Sequence, residues 1–264
     1  MEKRLDSIFF LRMFSSYNHS HPVVNACFKY ENKMTKNLTK LRNDLNLEEI
    51  AGNDGDIQRI LKILKWADTY LKFEGKTLQD QRYDNYDWFE TIKKAKDEGF
   101  ALNCRYISSL FTQVLLALGY KARWVSCLPF EVITKERHCI TEVYLNSIEK
   151  WIVVDAPFNL LYFDKRGNLL NLLDMRKNII ANEKIRFFTS NPNNTSWVIE
   201  SWKKHIFRFK YAINNGYNLL SGRRKYFYLN PANFLTYEEC FNCNNNSFNK
   251  ELIYYDNERP FLLP

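Results

Sequence analysis

Long apolar runs are missing from this chain. Its longest candidates, around Ile8–Phe14 and Val114–Leu118, fall far short of the roughly 18–20 uninterrupted apolar residues of a spanning helix. The first of them carries Arg12 and follows Glu2 and Asp6, unlike the apolar region of a secretory signal. A soluble, unexported, cytoplasmic protein is expected, with no membrane partner. Glycine and proline are scarce, 8 and 7 in 264 residues, which excludes collagen-like and linker-like chains. Cysteine is sparse too. The six stand at 27, 104, 127, 139, 240 and 243, without the density of a small disulfide scaffold, so free thiols in a reducing compartment are expected.

What is present is an ordinary globular composition with a heavy aromatic share. Hydrophobic residues make up 45%, charged residues 26% and aromatics 16%, enough large side chains to fill a core and to exclude disorder throughout. The net charge of +8 favours acidic partners without identifying one.

The pattern along the chain divides it in three. Residues 1–54 read as an irregular N-terminal extension that packs on the core. Residues 55–188 read as the core, and 189–264 as a basic, aromatic-rich extension that completes the same domain. In the core, Ile57, Ile60, Leu61, Leu64, Ala67 and Leu71 recur at helical spacing, which predicts a helix over 56–73. Trp88–Lys96 reads as a short helix stopped at Gly99. Residues 76–87 are polar and turn-like. Tyr106, Ile107, Leu110, Phe111, Val114, Leu115 and Leu118 make a strong apolar stripe ending at Gly119, with Asn103 in position to cap its start. The period then shifts to two: strands are predicted at Lys121–Cys127, His138–Leu145 and Trp151–Asp155, the last two joined as a hairpin. A turn at 164–167 and a helix over 169–180 follow.

Three residues in this arrangement suit one chemistry. Cys104 opens the apolar helix, His138 opens a strand and Asp155 ends the next. A helix N-terminus favours a thiolate. An adjacent imidazole takes the thiol proton, and a carboxylate on the far ring nitrogen fixes its tautomer.

The flanking residues sharpen this reading. The stretch 103–125, NCRYISSLFTQVLLALGYKARWV, together with HCITEVY at 138–144 and WIVVDAPFN at 151–159, resembles the transglutaminase-like superfamily over about residues 55–180. Two positions depart from the family pattern: Leu102 stands where a glycine is usual and Ile140 where a tryptophan is usual. The resemblance implies an α+β fold, a papain-like core whose catalytic helix packs on an antiparallel sheet. It also implies acyl chemistry through a cysteine thioester, with Cys104, His138 and Asp155 as the catalytic residues. The expected enzyme cleaves or transfers acyl groups at amide or thioester bonds of a peptide, protein or small molecule. The oxyanion donors expected are the Cys104 backbone N–H and an upstream group, with Gln79, Gln81 and Trp88 as candidates. A catalytically silent binding module is the alternative.

Other features read more plainly. Glu142 is expected to be a structural or surface partner rather than a second acid. Cys27, Cys127 and Cys139 are expected in the core or a strand, with Cys139 on the opposite face from His138. Cys240-x-x-Cys243 lacks the four ligands of a structural zinc site. No acidic loop has calcium-ligand spacing, so no metal and no cofactor is expected. Between Trp202 and Leu229 lie seven Lys/Arg and no Asp/Glu, interleaved with aromatics. Such a stretch fits an amphipathic helix followed by a strand better than it fits a nucleic-acid surface. An anionic substrate is compatible with it.

Overall fold

Asn103 and Gly119 set the ends of the central helix, as their positions predict. The computed structural model describes residues 7–19, 26–74, 88–99, 101–131, 136–189, 196–217, 225–234 and 253–264. In it, helix α6 runs Cys104–Ala117. The Asn103 side chain accepts the Tyr106 N–H at 3.2 Å and so satisfies one of the orphan donors of the first turn. At the other end Gly119 takes φ 92°, the left-handed conformation that costs glycine least. The N–H groups of Gly119 and Tyr120 bond back to Leu116 and Leu115, closing a Schellman motif.

Among the described residues, five helices precede α6: α1 (Ser7–Met13), α2 (Lys36–Asp44), α3 (Leu47–Ala51), α4 (Asp56–Tyr70) and α5 (Trp88–Glu98). The N-terminal stretch expected to be irregular is thus partly helical, and Leu38, Leu41, Leu47 and Ala51 are almost fully buried. α4 stops three residues before the expected end because Lys72–Phe73 forms strand β2, which pairs in parallel with β3 (Ala101–Leu102). The polar segment 76–87 lies outside the described residues.

After α6 come β4 (Lys121–Leu128), β5 (His138–Leu145), β6 (Lys150–Asp155), β7 (Leu160–Phe163), α7 (Leu172–Ile180), β8 (Arg186–Thr189), α8 (Ser196–His205), β9 (Arg208–Ala212), β10 (Asn214–Asn215), β11 (Tyr226–Leu229), β12 (Ile253–Tyr255) and α9 (Arg259–Leu262). A short β1 (Lys29–Tyr30) pairs with β10. The helix expected over 169–180 begins at Leu172 because Asn171 caps it, its side chain accepting the Asp174 N–H at 2.8 Å. Asp164 builds the turn expected at 164–167, accepting the N–H groups of Arg166 and Asn168 at 2.8 Å each.

The fold is α+β. Eight strands form one sheet in the order β12-β11-β9-β4-β5-β6-β7-β8, antiparallel except for β11 and β12 at one edge. Strand alternation sends Ala122, Val143, Leu145, Ile152, Val154 and Leu161 to the face covered by α6 and the helices before it. Val125, Cys127, Ile140, Val153, Leu160 and Tyr162 go to the other face, with α1, α7 and α8. Hydroxyls fasten α6 to β5: Ser108 donates to the Cys139 carbonyl at 2.6 Å, Thr141 donates to the Ser108 carbonyl at 2.9 Å, and Thr112 and Thr141 share a bond of 3.0 Å. On the opposite face, Arg123 and Glu142 form a buried ion pair of 2.7 Å. Arg123 also donates to the Phe261 carbonyl at 2.7 Å and Glu142 accepts the Leu172 N–H at 3.1 Å, so this pair ties α9 and α7 to the sheet. Among the described residues, no helix is long and apolar enough to cross a membrane.

Candidate active site

β5 begins at His138 and β6, antiparallel to it, ends at Asp155, so both side chains stand at one end of the sheet. Asp155 lies opposite the position of Ile140, which makes His138 its diagonal neighbour on the same face, within reach of long side chains. His138 Nε2 meets both carboxylate oxygens of Asp155, at 3.0 and 2.9 Å. That face is the one away from α6. The ring reaches Cys104 around the end of the sheet, where α6 also begins.

With Nε2 engaged by Asp155, Nδ1 is the nitrogen left to hydrogen-bond the Cys104 sulfur. Three neighbouring groups lower the Cys104 thiol. The Cys139 thiol has the largest effect; burial works against it; His138, by hydrogen bond and by charge, and the Cys139 backbone N–H follow. Together they hold the Cys104 thiol well below the ordinary cysteine range. For His138, burial opposes the charge, but the carboxylate of Asp155 and the sulfur of Cys104 outweigh it and push the ring up to about 10. The two shifts describe one thiolate–imidazolium pair. A thiolate cannot donate, so the 3.9 Å approach of Cys104 Sγ to the Arg137 carbonyl is a hydrogen bond only for the neutral thiol.

Asp155 is fully buried and is held by a second group that sequence reasoning missed. Tyr162 donates to Asp155 Oδ2 at 2.7 Å, and the Trp202 indole N–H donates to the Tyr162 oxygen at 2.8 Å. The period-two pattern puts Tyr162 on the face of Asp155, since β7 follows β6 directly. Trp202, 40 residues further on in α8, had no local signal.

Cys139 departs from the expectation in effect rather than direction. It does alternate away from His138, onto the α6 face, and there it meets Cys104 with Trp124 nearby. Its own ionisation is pushed well up, by burial first and then by the hydrogen bond and charge of Cys104. It therefore stays protonated, and its S–H donates to Ser126 Oγ at 3.7 Å. Cys127 is buried as expected, whereas Cys27 is exposed, a correction: it follows residues outside the description and precedes β1 at the surface. Gln79, Gln81, the Trp88 side chain, Cys240 and Cys243 lie outside the described residues. Among the described residues no cluster of His, Cys, Asp and Glu has the arrangement of a metal site.

One comparison with known proteins falls on this region. The family model of the transglutaminase-like superfamily matches residues 44–156, a stretch that contains Cys104, His138 and Asp155 and carries the resemblance read from the sequence. No curated protein matches the chain. Among solved structures, "Putative Cysteine Protease" from Cytophaga hutchinsonii is similar at 19% identity and a TM-score of 0.36, over 62% of this chain. The chain spans half the length of that protein, 50%.

Proposed function

We propose that the protein is a thiol acyl-transfer enzyme that cleaves or forms amide or thioester bonds through an acyl-Cys104 intermediate. One observation carries the reading: a histidine bound through Nε2 to a buried carboxylate, 2.9 Å away, neighbours a cysteine at a helix start and lowers its ionisation. In this reading the Cys104 thiolate attacks the substrate carbonyl. His138 then gives its proton to the leaving amine or thiol, and the C–N or C–S bond breaks to leave the thioester. Water or an amine next attacks the thioester, losing its proton to His138, and the sulfur leaves. Asp155 keeps the ring oriented and stabilises its charge. The Cys104 backbone N–H, at the first position of α6, is the oxyanion donor.

The test is alkylation by iodoacetamide, resolved by peptide mass spectrometry across all six cysteines. An unperturbed thiol reacts as it ionises near pH 8.5, a paired one far lower. Fast labelling of Cys104 near pH 6, abolished in His138→Ala, is the expected result. Labelling only above about pH 8 overturns the reading. With a substrate in hand, Cys104→Ala, His138→Ala and Asp155→Ala must each lose turnover.

A further inference from the structure

One aromatic ring with no part in holding Asp155 lies on His138, and two more pack on that ring. Phe158 stacks on the imidazole, with ring centroids 4.5 Å apart and planes at 8°. Phe73, from β2, meets Phe158 edge-on at 5.1 Å, and Trp197, from α8, does so at 4.6 Å. The two outer rings are exposed, Phe73 by 36% and Trp197 by 44%, whereas Trp202, only five positions further along α8, is buried at 1%. Residues far apart in sequence thus converge on one ring to make an uncharged wall with open faces. The wall also begins near the candidate nucleophile along the backbone: β2, which carries Phe73, pairs with β3, whose Leu102 stands two positions before Cys104.

Which part of a substrate meets this wall follows from the proton path. His138 Nε2 is taken by Asp155, so the leaving heteroatom must lie within hydrogen-bond reach of Nδ1. Whatever is bonded to that atom runs past the imidazole, whose face is already covered by Phe158. The attacking group of the second half-reaction uses the same nitrogen in reverse and passes the same rings.

We infer that Phe73, Phe158 and Trp197 form the subsite for an aromatic or bulky apolar group carried by the leaving and accepting amine. This rests on the acyl-Cys104 reading above. The wall supplies no charge to pair with a cationic or anionic substituent, and it offers ring edges and faces to an apolar one.

The experiment acetylates the full chain with p-nitrophenyl acetate. The acetyl C–O bond breaks, p-nitrophenolate leaves and acetyl-Cys104 forms. Amines are then compared at matched free-base concentration: phenethylamine, ethanolamine and taurine. In each case the N–C bond forms, the C–S bond breaks, the amine proton passes to His138 and the thiolate is regenerated. The N-acetyl products are quantified and normalised to the same amines reacting with a free acetyl thioester. Phenethylamine is expected to be favoured over ethanolamine by about tenfold or more, the scale of discrimination apolar pockets achieve. In Trp197→Ala and Phe73→Ala that ratio, which does not depend on how fast the acyl-enzyme forms, should fall to within about twofold of unity. Near-UV circular dichroism checks that both variants keep their packing. A burst of p-nitrophenolate on Cys104 followed by equal aminolysis overturns the subsite alone. So does a preference that survives in both variants. Failure to form acetyl-Cys104 at all overturns the nucleophile, and the subsite falls with it.

Discussion

Cys139 turns a single thiol proton into a lever on its neighbour. Its side chain is the largest cause of the lowered Cys104 ionisation, and its backbone N–H adds to it. The sign follows for the pH profile of alkylation or turnover. A lowered thiol ionises earlier, so the acidic limb moves to lower pH. A raised His138 keeps its proton longer, so the alkaline limb moves up toward about 10. The pair therefore has a broad plateau. Cys139→Ala removes the thiol donor but leaves the N–H and His138 in place. The acidic limb should shift upward, with the alkaline limb still set by His138 and Asp155. A limb unmoved by Cys139→Ala would mean that the thiol bonds elsewhere. Nothing in the alternation of β5 could reveal this role: the pattern correctly sent Cys139 to the opposite face, but the N-terminus of α6 lies at the sheet end, where residues of both faces reach it.

At the level of elements, two devices hold the site, one local and one distant. The local one was legible: an asparagine before a cysteine, an apolar stripe and a Leu-Gly stop define α6, and short polar links define the β5–β6 hairpin. The distant one was not. Asp155, Tyr162 and Trp202 form a chain of hydrogen bonds of 2.7 and 2.8 Å across β6, β7 and α8, and its last member depends on how α8 packs. Tyr162→Phe leaves the Asp155 carboxylate short of a donor and the Trp202 indole without an acceptor. A drop of about tenfold in kcat/KM is expected, the scale of one lost buried hydrogen bond to a charged group, with little change in the alkylation rate of Cys104 by small reagents. An unaltered kcat/KM would reduce Tyr162 to packing. On the same face, Arg123 and Glu142, each only 2% exposed, serve stability. Arg123→Met strands a buried carboxylate and should cost about 3–5 kcal/mol in urea unfolding. Adding Glu142→Leu should recover part of it, but not all. The Phe261 carbonyl and the Leu172 N–H would each still lack the bond that the pair now supplies.

For the molecule as a whole, the sheet is not contained in the stretch that carries the family resemblance. β9 pairs with β4, setting Tyr211 against Val125 and Phe209 against Cys127. β9, β11 and β12 extend the sheet to its far edge. Composition pointed to an aromatic-rich C-terminal third but could not say where its rings would pack, since contacts between distant strands leave no trace in local periodicity. Those rings are buried against the sheet: Trp202, Phe207, Phe209, Tyr211, Phe227, Phe234 and Phe261 all join the core on the side of Asp155. Each large side chain contributes about 1.5–3 kcal/mol by burial, against a net stability of about 5–15 kcal/mol for an ordinary domain. Even at the low end, their joint removal takes most of that margin. It also bares the backbone edge of β4 to other chains. A chain truncated after Thr189 should therefore show no cooperative thermal transition by circular dichroism and should tend to aggregate. Its Cys104 should label with the pH dependence of an unperturbed thiol, because the Tyr162 hydroxyl has lost its indole donor and the packing behind Asp155 is gone. A cooperative melt with retained labelling near pH 6 would mean that the first 189 residues close their own core, and that the C-terminal rings refine the site rather than build it.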